Sequence, residues 1–298
     1  MHRRELAGFV LLFVLISAAN ARSQDRSSRP PASQDKSVIR IGAVAYSPGV
    51  VTVFNDLRRY LNRHDFPCDY VLYSNYDALV AALGRREIDI AWNTPLAHAQ
   101  YHVRSGCTSQ TLVMRDVDCD VRSVLVARSD SAVNSLQDLP GKRLVLGSAD
   151  AAEATVLPMH YLKKEKVDFD KLTIVSLDKE IDFKGNPCCS PSHVLAALQE
   201  GRGDIGIITE SLWQQITANE SGKQKLKKIW TSPVFSHCVF TASKEFDETK
   251  AKRFTELMTA MTATDPGCGD IMRLEGTKKW LPGTSEGFAD LVEALRQK

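Results

Sequence analysis

What the chain lacks narrows its function first. Aromatic residues make up only 7% of its 298 positions, and the formal net charge is +2. Neither a base-stacking surface nor a basic surplus therefore points to nucleic acid. No two cysteines have the C-x-x-C spacing, which removes a zinc ribbon and a thioredoxin-type redox site. There is no G-x-G-x-x-G, no P-loop and no G-x-S-x-G elbow, so dinucleotide, Walker-type and α/β-hydrolase chemistry have no support. Beyond the N-terminal segment, no stretch approaches the roughly 20 apolar residues of a membrane-spanning helix. The remainder has ordinary globular composition, 43% hydrophobic and 25% charged, with room for two modest domains or one large one.

The N-terminus reads as a targeting segment. Arg3 and Arg4 precede an apolar run at 6–18, and Ala19-Asn20-Ala21 is a small-x-small cleavage site. This pattern predicts a cleaved export signal over 1–21. Residues 22–37 combine Ser, Pro, Gln and charge without apolar periodicity, as a disordered tether does. An exported, periplasmic protein can hold disulfides. The seven cysteines are Cys68, Cys107, Cys119, Cys188, Cys189, Cys238 and Cys268, so a monomer leaves at least one unpaired.

Two stretches repeat one plan. Val80-Ala81-Ala82-Leu83-Gly84-Arg85-Arg86-Glu87-Ile88-Asp89-Ile90 matches Leu195-Ala196-Ala197-Leu198-Gln199-Glu200-Gly201-Arg202-Gly203-Asp204-Ile205 position by position. Each ends an apolar-faced helix, turns through Gly and Arg, and opens a buried strand with Asp-Ile, which is half of an α/β unit. Strands are expected at 38–44, 68–73, 88–92, 110–115 and 121–127, then at 142–147, 171–177, 204–209, 226–230 and 234–242. Helices fall between them, one of them over 151–164. The pattern predicts an α/β fold of two doubly wound lobes with parallel sheets, joined by a two-strand hinge near 116–123 and 231–237. Lobe 1 would comprise 38–120 plus 235–298, and lobe 2 would comprise 121–234. The tail after Ser232 reads as helices with little strand, packed back on lobe 1.

In open α/β sheets a ligand binds beyond the carboxyl ends of the strands. That rule selects the loops at Tyr46-Ser47, at Trp92-Asn93-Thr94, at Ser148-Ala149-Asp150 and at Thr209-Glu210. Three of them open helices, whose free N–H groups attract anions. Taken singly, Thr94, Ser148 and Ser190 are explained as well by helix capping. Asp150 and Glu153 complicate an anion site: either they point away, or the ligand also carries a cationic group. His98 and His102, at i and i+4, have a metal-compatible spacing but no third ligand. Cys188-Cys189 with His193, and His237-Cys238, could pair a nucleophile with a base; disulfides or buried thiols explain them more simply. The basic run at 223–228 is surface charge.

Three segments carry a family resemblance. Asp89-Ile90-Ala91-Trp92-Asn93-Thr94-Pro95-Leu96-Ala97, Gly147-Ser148-Ala149-Asp150-Ala151-Ala152-Glu153-Ala154-Thr155 and Trp230-Thr231-Ser232-Pro233-Val234-Phe235-Ser236-His237-Cys238 resemble the phosphate/phosphite/phosphonate solute-binding proteins of ABC importers. The resemblance implies a type II periplasmic-binding fold that closes over its ligand about a hinge. It also implies ligand contacts from a Tyr after the first strand, matched by Tyr46, and from the loop after the Asp-Ile strand, here Asn93 and Thr94. A Ser-Thr-Ser turn at a helix start is matched only by Ser148, since Ala149 and Asp150 depart from it. Ser190 stands nearest the place of a family His, with His193 three residues on.

The expectation is an exported solute-binding protein that captures a small polar, oxyanionic ligand between two lobes for an ABC permease. Tyr46, Asn93, Thr94, Ser148, Ser190 and Thr209 would donate hydrogen bonds. Asp150 or Glu210 would accept from a ligand amine or hydroxyl, and His237 would stand at the hinge edge of the cleft. No catalytic residue, cofactor, metal ion or nucleic-acid partner is expected, and the protein would be monomeric. A sensory receptor of the same fold, or an enzyme using Cys189 or Cys238 with a histidine, are the competing readings.

Overall fold

The computed structural model describes residues 38–178, 191–218 and 225–297. Ser190, Cys188 and Cys189 lie outside the described residues. In chain order the strands of the first half are β1 Ile39–Val44, β2 Cys68–Tyr73, β3 Ile90–Asn93, β4 Gln110–Arg115 and β5 Ser123–Arg128. They are followed by β6 Arg143–Leu146, β7 Thr173–Ser176, β8 Ile205–Thr209, β9 Leu226–Thr231, β10 Val239–Ala242 and β11 Trp280–Pro282. The helices are α1 Val50–Arg63, α2 Tyr76–Gly84, α3 Pro95–Arg104, α4 Leu157–Lys164, α5 Pro191–Gln199 and α6 Glu210–Thr217. The chain closes with α7 Glu248–Ala260, α8 Cys268–Leu274 and α9 Ala289–Arg296.

Two sheets result. The first has the order β11-β4-β10-β3-β1-β2, and the second has β7-β6-β8-β5-β9. Apolar residues at helical spacing on α1 (Val53, Phe54, Leu57, Tyr60, Leu61) are buried against the first sheet, in a core that includes Trp92, Phe240, Phe254 and Trp280. The second sheet buries Val124, Val126, Val145 and Ile208 on one face and Leu125, Leu144, Ile205 and Ile207 on the other. Burial on both faces explains why these strands are continuous apolar runs rather than alternating ones.

The repeated sequence motif has one structural job in both lobes. The Asp89 side chain accepts the Arg40 backbone N–H at 2.8 Å, while the Asp89 N–H donates to the Arg40 carbonyl at 2.8 Å. Asp204 does the same to Arg143, with 2.9 Å for each bond. Each carboxylate thus satisfies the backbone at the start of the neighbouring parallel strand and sets its register. The preceding turn is also duplicated. Glu87 N–H reaches the Ala82 carbonyl at 2.9 Å, and Arg202 N–H reaches that of Ala197 at 2.9 Å, which closes both helices with a 6→1 bond. That closure needs a left-handed residue, supplied by Gly201 (φ +74°) in one copy and by Arg86 (φ +59°) in the other.

The sheets are mixed, not wholly parallel. β1, β2 and β3 are parallel, as are β6, β7 and β8. β10 runs antiparallel to β3 and β4, and β5 antiparallel to β8 and β9. The reason is geometric: the chain changes sheets at the carboxyl ends of the parallel strands. A strand that starts there runs back between its new neighbours and so antiparallel to them. The two segments between the sheets lie side by side, with Val121 and Phe235 exchanging backbone bonds of 2.9 Å.

Other expectations shift locally. The strand expected over 234–242 is confined to β10, because Pro233 to Cys238 belongs to the crossing segment. The helix expected over 151–164 begins with a π-turn at Ala152–Val156 before α4. The tail supplies two strands to the first sheet, β10 and β11. Its last helix packs on both α3 and α4, so it touches both lobes.

Candidate functional site

A chain of charged and hydrogen-bonding groups runs through the junction between the lobes. Arg115, at the end of β4, grips Asp118 with two bonds, Nε to Oδ2 at 2.5 Å and Nη2 to Oδ1 at 2.9 Å. Its Nη1 donates to the Glu275 carbonyl at 2.8 Å and to Oε2 at 3.2 Å. The Arg115 guanidinium also lies over the Trp92 ring, 5.4 Å from its centroid. The Tyr46 hydroxyl donates to Glu275 Oε1. On the other side, His237 Nδ1 is 3.1 Å from Asp118 Oδ1 and its Nε2 is 3.2 Å from Glu153 Oε2. The ladder therefore reads Tyr46, Glu275, Arg115, Asp118, His237, Glu153, and it connects the β1–α1 loop of lobe 1 to the π-turn of lobe 2.

The electrostatics follow from burial and pairing. Burial opposes the charge on His237, but the Cys238 sulfur and the hydrogen bonds to Asp118 and Glu153 raise its pKa well above the ordinary value. An imidazolium with a carboxylate at each nitrogen donates from both. Asp118 and Glu153 are disfavoured as anions by burial, yet the bonds from His237, and for Asp118 also from Arg115, hold their pKa values below the usual range. Glu275 goes the other way, because burial raises its pKa more than Tyr46 and Arg115 lower it. The Tyr46 phenol is pushed up by its own burial and then by the Glu275 charge. Asp118, His237 and Cys238 place ligand-type atoms within 4.8 Å of one another. They make a poor metal site, since Arg115 holds Asp118 and a protonated imidazole has no free lone pair.

A cavity of about 520 Å³ opens beside this ladder. Arg115 and Asp118 line it from lobe 1, Arg122 and His237 from the crossing segments, and Glu153, Ser192, Thr209, Glu210 and Ser211 from lobe 2. Its cations are already matched. Beyond the Arg115 and His237 pairs, Arg122 Nε faces Glu210 Oε2 at 3.8 Å.

The candidates from the sequence divide into groups. Thr209, Glu210 and His237 line the cavity. Thr209 also caps α6, accepting the Leu212 N–H at 3.3 Å, and Glu210 faces both Arg122 and Lys228. Thr94 caps α3 by accepting the Ala97 N–H at 3.3 Å, which leaves its own O–H free to donate. Asn93 is 1% exposed, and neither its Oδ1 nor its Nδ2 has a hydrogen-bond partner.

Ser148 and Asp150 do not cap a helix as expected: Ser148 Oγ donates to Asp150 Oδ1 at 2.5 Å, and the N-cap of the π-turn is Ala151. The Ala149 N–H is taken by the Asp178 carboxylate at 2.9 Å. Tyr46 is directed at Glu275 rather than standing free.

His98 and His102 do not form a metal pair. His98 is buried on Thr241 Oγ1 at 2.9 Å with its pKa pushed down to about 3 by burial, and His102 Nδ1 meets Ser109 Oγ at 2.7 Å.

Sequence reasoning missed the ladder itself. Asp118 falls in the hinge segment expected at 116–123, Arg115 ends the strand expected over 110–115, and Glu153 lies near a helix start. Glu275 has no local signal, because its partners Arg115 and Tyr46 are 160 and 229 positions away.

Comparison with known proteins agrees with this architecture. The family model described as "ABC transporter, phosphonate, periplasmic substrate-binding protein" matches residues 43–288. A probable ABC transporter phosphite binding protein of Prochlorococcus marinus, PhnD1, is 21% identical over 303 residues, which covers 97% of this chain and 98% of that protein. The solved structure of PhnD1 with methylphosphonate superposes with a TM-score of 0.62 at 20% identity, covering 88% of this chain and 98% of the other. XAC2383 of Xanthomonas citri, solved with ATP, gives a TM-score of 0.65 at 17% identity, with the same coverage. With two α/β lobes meeting at paired crossing segments, and a family model spanning nearly all of both, the chain belongs to the periplasmic substrate-binding proteins of phosphonate ABC transporters.

Proposed function

We propose that this chain captures a small oxyanion of the phosphonate or phosphite type between its lobes and delivers it, as an exported monomer freed of residues 1–21, to an ABC permease. One observation carries the ligand class. At the carboxyl end of β6, the Ser148 hydroxyl and the Ala149 N–H are adjacent donors, and each already holds a carboxylate oxygen, of Asp150 and Asp178 respectively. A phosphonate offers tetrahedral oxygens that accept the same bonds and would displace those internal acids. Thr94 has an O–H to give, Thr209 shares its hydroxyl with Ser211 Oγ at 3.1 Å, and the unpartnered Asn93 amide can both donate and accept. Asp150, Glu210 and the Ser190 region complete the proposed contact set, and Tyr46 lies one hydrogen bond behind it on Glu275.

The ladder contributes shape and poise rather than a free counter-charge, because Arg115 and His237 spend their charges on Asp118, Glu275 and Glu153. Binding then rests on neutral donors, which favours ligands that bring a proton or an ammonium group toward Glu210. Isothermal titration with methylphosphonate, 2-aminoethylphosphonate, phosphite, phosphate and sulfate is the test. Saturable heat with a phosphorus oxyanion supports the reading, and silence toward the whole panel overturns it.

A further inference from the structure

The C-terminal helix and lobe 2 meet at a second polar cluster that the transport function does not use. His160 on α4 faces Asp290 and Glu293 on α9, and one ligand-type atom of each lies within 4.8 Å of the others. The His160 side chain is 5% exposed, and its Nε2 has no hydrogen-bond partner, lying 3.7 Å from Glu293 Oε2.

Both carboxylates are oriented from behind, as metal-binding carboxylates are. The Tyr161 hydroxyl donates to Asp290 Oδ2 at 2.9 Å, and Gln297 Nε2 donates to Glu293 Oε1 at 3.0 Å. The other two oxygens, Asp290 Oδ1 and Glu293 Oε2, converge on a cation already in place: Lys164 Nζ lies 3.5 and 2.8 Å from them. The pocket thus holds a positive charge between two aligned acids, beside an imidazole nitrogen that has nothing to bind.

We propose that His160, Asp290 and Glu293 form a divalent metal site of the zinc class, which the ion enters by displacing the Lys164 ammonium. A mixed nitrogen and oxygen donor set suits Zn²⁺ or Co²⁺ rather than Ca²⁺ or Mg²⁺. The ion would clamp α4 of lobe 2 to α9, which also packs on α3 of lobe 1.

The test is competition between the full chain and a chromogenic chelator for Zn²⁺, repeated with Co²⁺ by absorption spectroscopy, with the thiols alkylated first. One equivalent should bind, and His160→Asn and Glu293→Gln should each weaken it at least tenfold. Lys164→Met should tighten it about tenfold by removing the competing charge. Glu293 stands on the exposed rim, so its substitution reports on the site without disturbing the fold. Equal zinc affinity in Glu293→Gln and the unsubstituted chain, or no binding in Lys164→Met, would overturn the assignment.

Discussion

Replacing His237 by leucine tests whether the interlobe ladder is a coupled unit. Asp118, 2% exposed, keeps both bonds from Arg115 after the change. Glu153, 18% exposed, loses the imidazolium that holds it. The cost is therefore that of one largely buried carboxylate left without its charge partner. Breaking a fully buried pair costs about 3–5 kcal/mol, and the residual exposure of His237 and Glu153 scales this down to about 2–3 kcal/mol. For a chain of this size that lowers Tm by about 4–6 °C.

The pH dependence has a definite sign. The folded pKa of His237 lies above its unfolded value, so its contribution is complete below about pH 6.5 and is lost as the pH rises through the folded pKa. Asp118 and Glu153 are depressed, so theirs is complete above about pH 4.5 and is lost as the pH falls through their folded values. The gap between the unsubstituted chain and His237→Leu should be widest near pH 5–6.5 and close in alkali. Urea unfolding of His237→Leu, Glu153→Gln and the double variant measures the coupling. The double variant should be no less stable than His237→Leu alone. Strict additivity of the two single costs, or a gap independent of pH, would refute the argument.

Two further outcomes follow from the geometry. Asn93→Ala removes a buried amide with no internal partner, so it should change stability by less than about 1 kcal/mol. The same variant should weaken phosphonate binding about tenfold or more in calorimetry, and equal loss of both quantities would assign Asn93 to the fold rather than to the ligand. Gly287→Ala places a methyl 2.7 Å from Ser236 Cβ and 2.8 Å from Ser236 N, on the second crossing segment. It should cost about 2–3 kcal/mol by overpacking, read as a lower thermal midpoint; an unchanged midpoint would mean that the segment moves freely.

The two-lobe plan was legible because each lobe needs the same local solution. An Asp at the strand entrance and a left-handed residue before it recur, so Asp89 and Asp204 announced themselves as a pair. Strand direction was not legible, since the apolar run of Val239–Ala242 looks the same whichever way it enters a sheet. Helix caps were partly legible: Thr94 and Thr209 cap as their position suggests, whereas Ser148 turns to Asp150 because the π-turn begins four residues later. The ladder was the least legible part. Its members come from five separate segments, and each alone is an unremarkable charged or polar residue. Only packing shows that Arg115 answers two acids at once, and that Tyr46, expected to face a ligand, gives its hydroxyl to Glu275.

The helix Ala289–Arg296 has a mechanical consequence. Its Leu291 and Ala294 share one apolar seam with Ala99 of lobe 1, Val156 and Tyr161 of lobe 2, and Phe235 between them. Two adjacent strands alone would let the halves swing like a door on its pins. A wedge packed across the back of the jamb limits that swing, because wider travel must shear greasy surface away from its neighbours. Any motion of the two halves must therefore shear this seam as well as flex the two crossing segments.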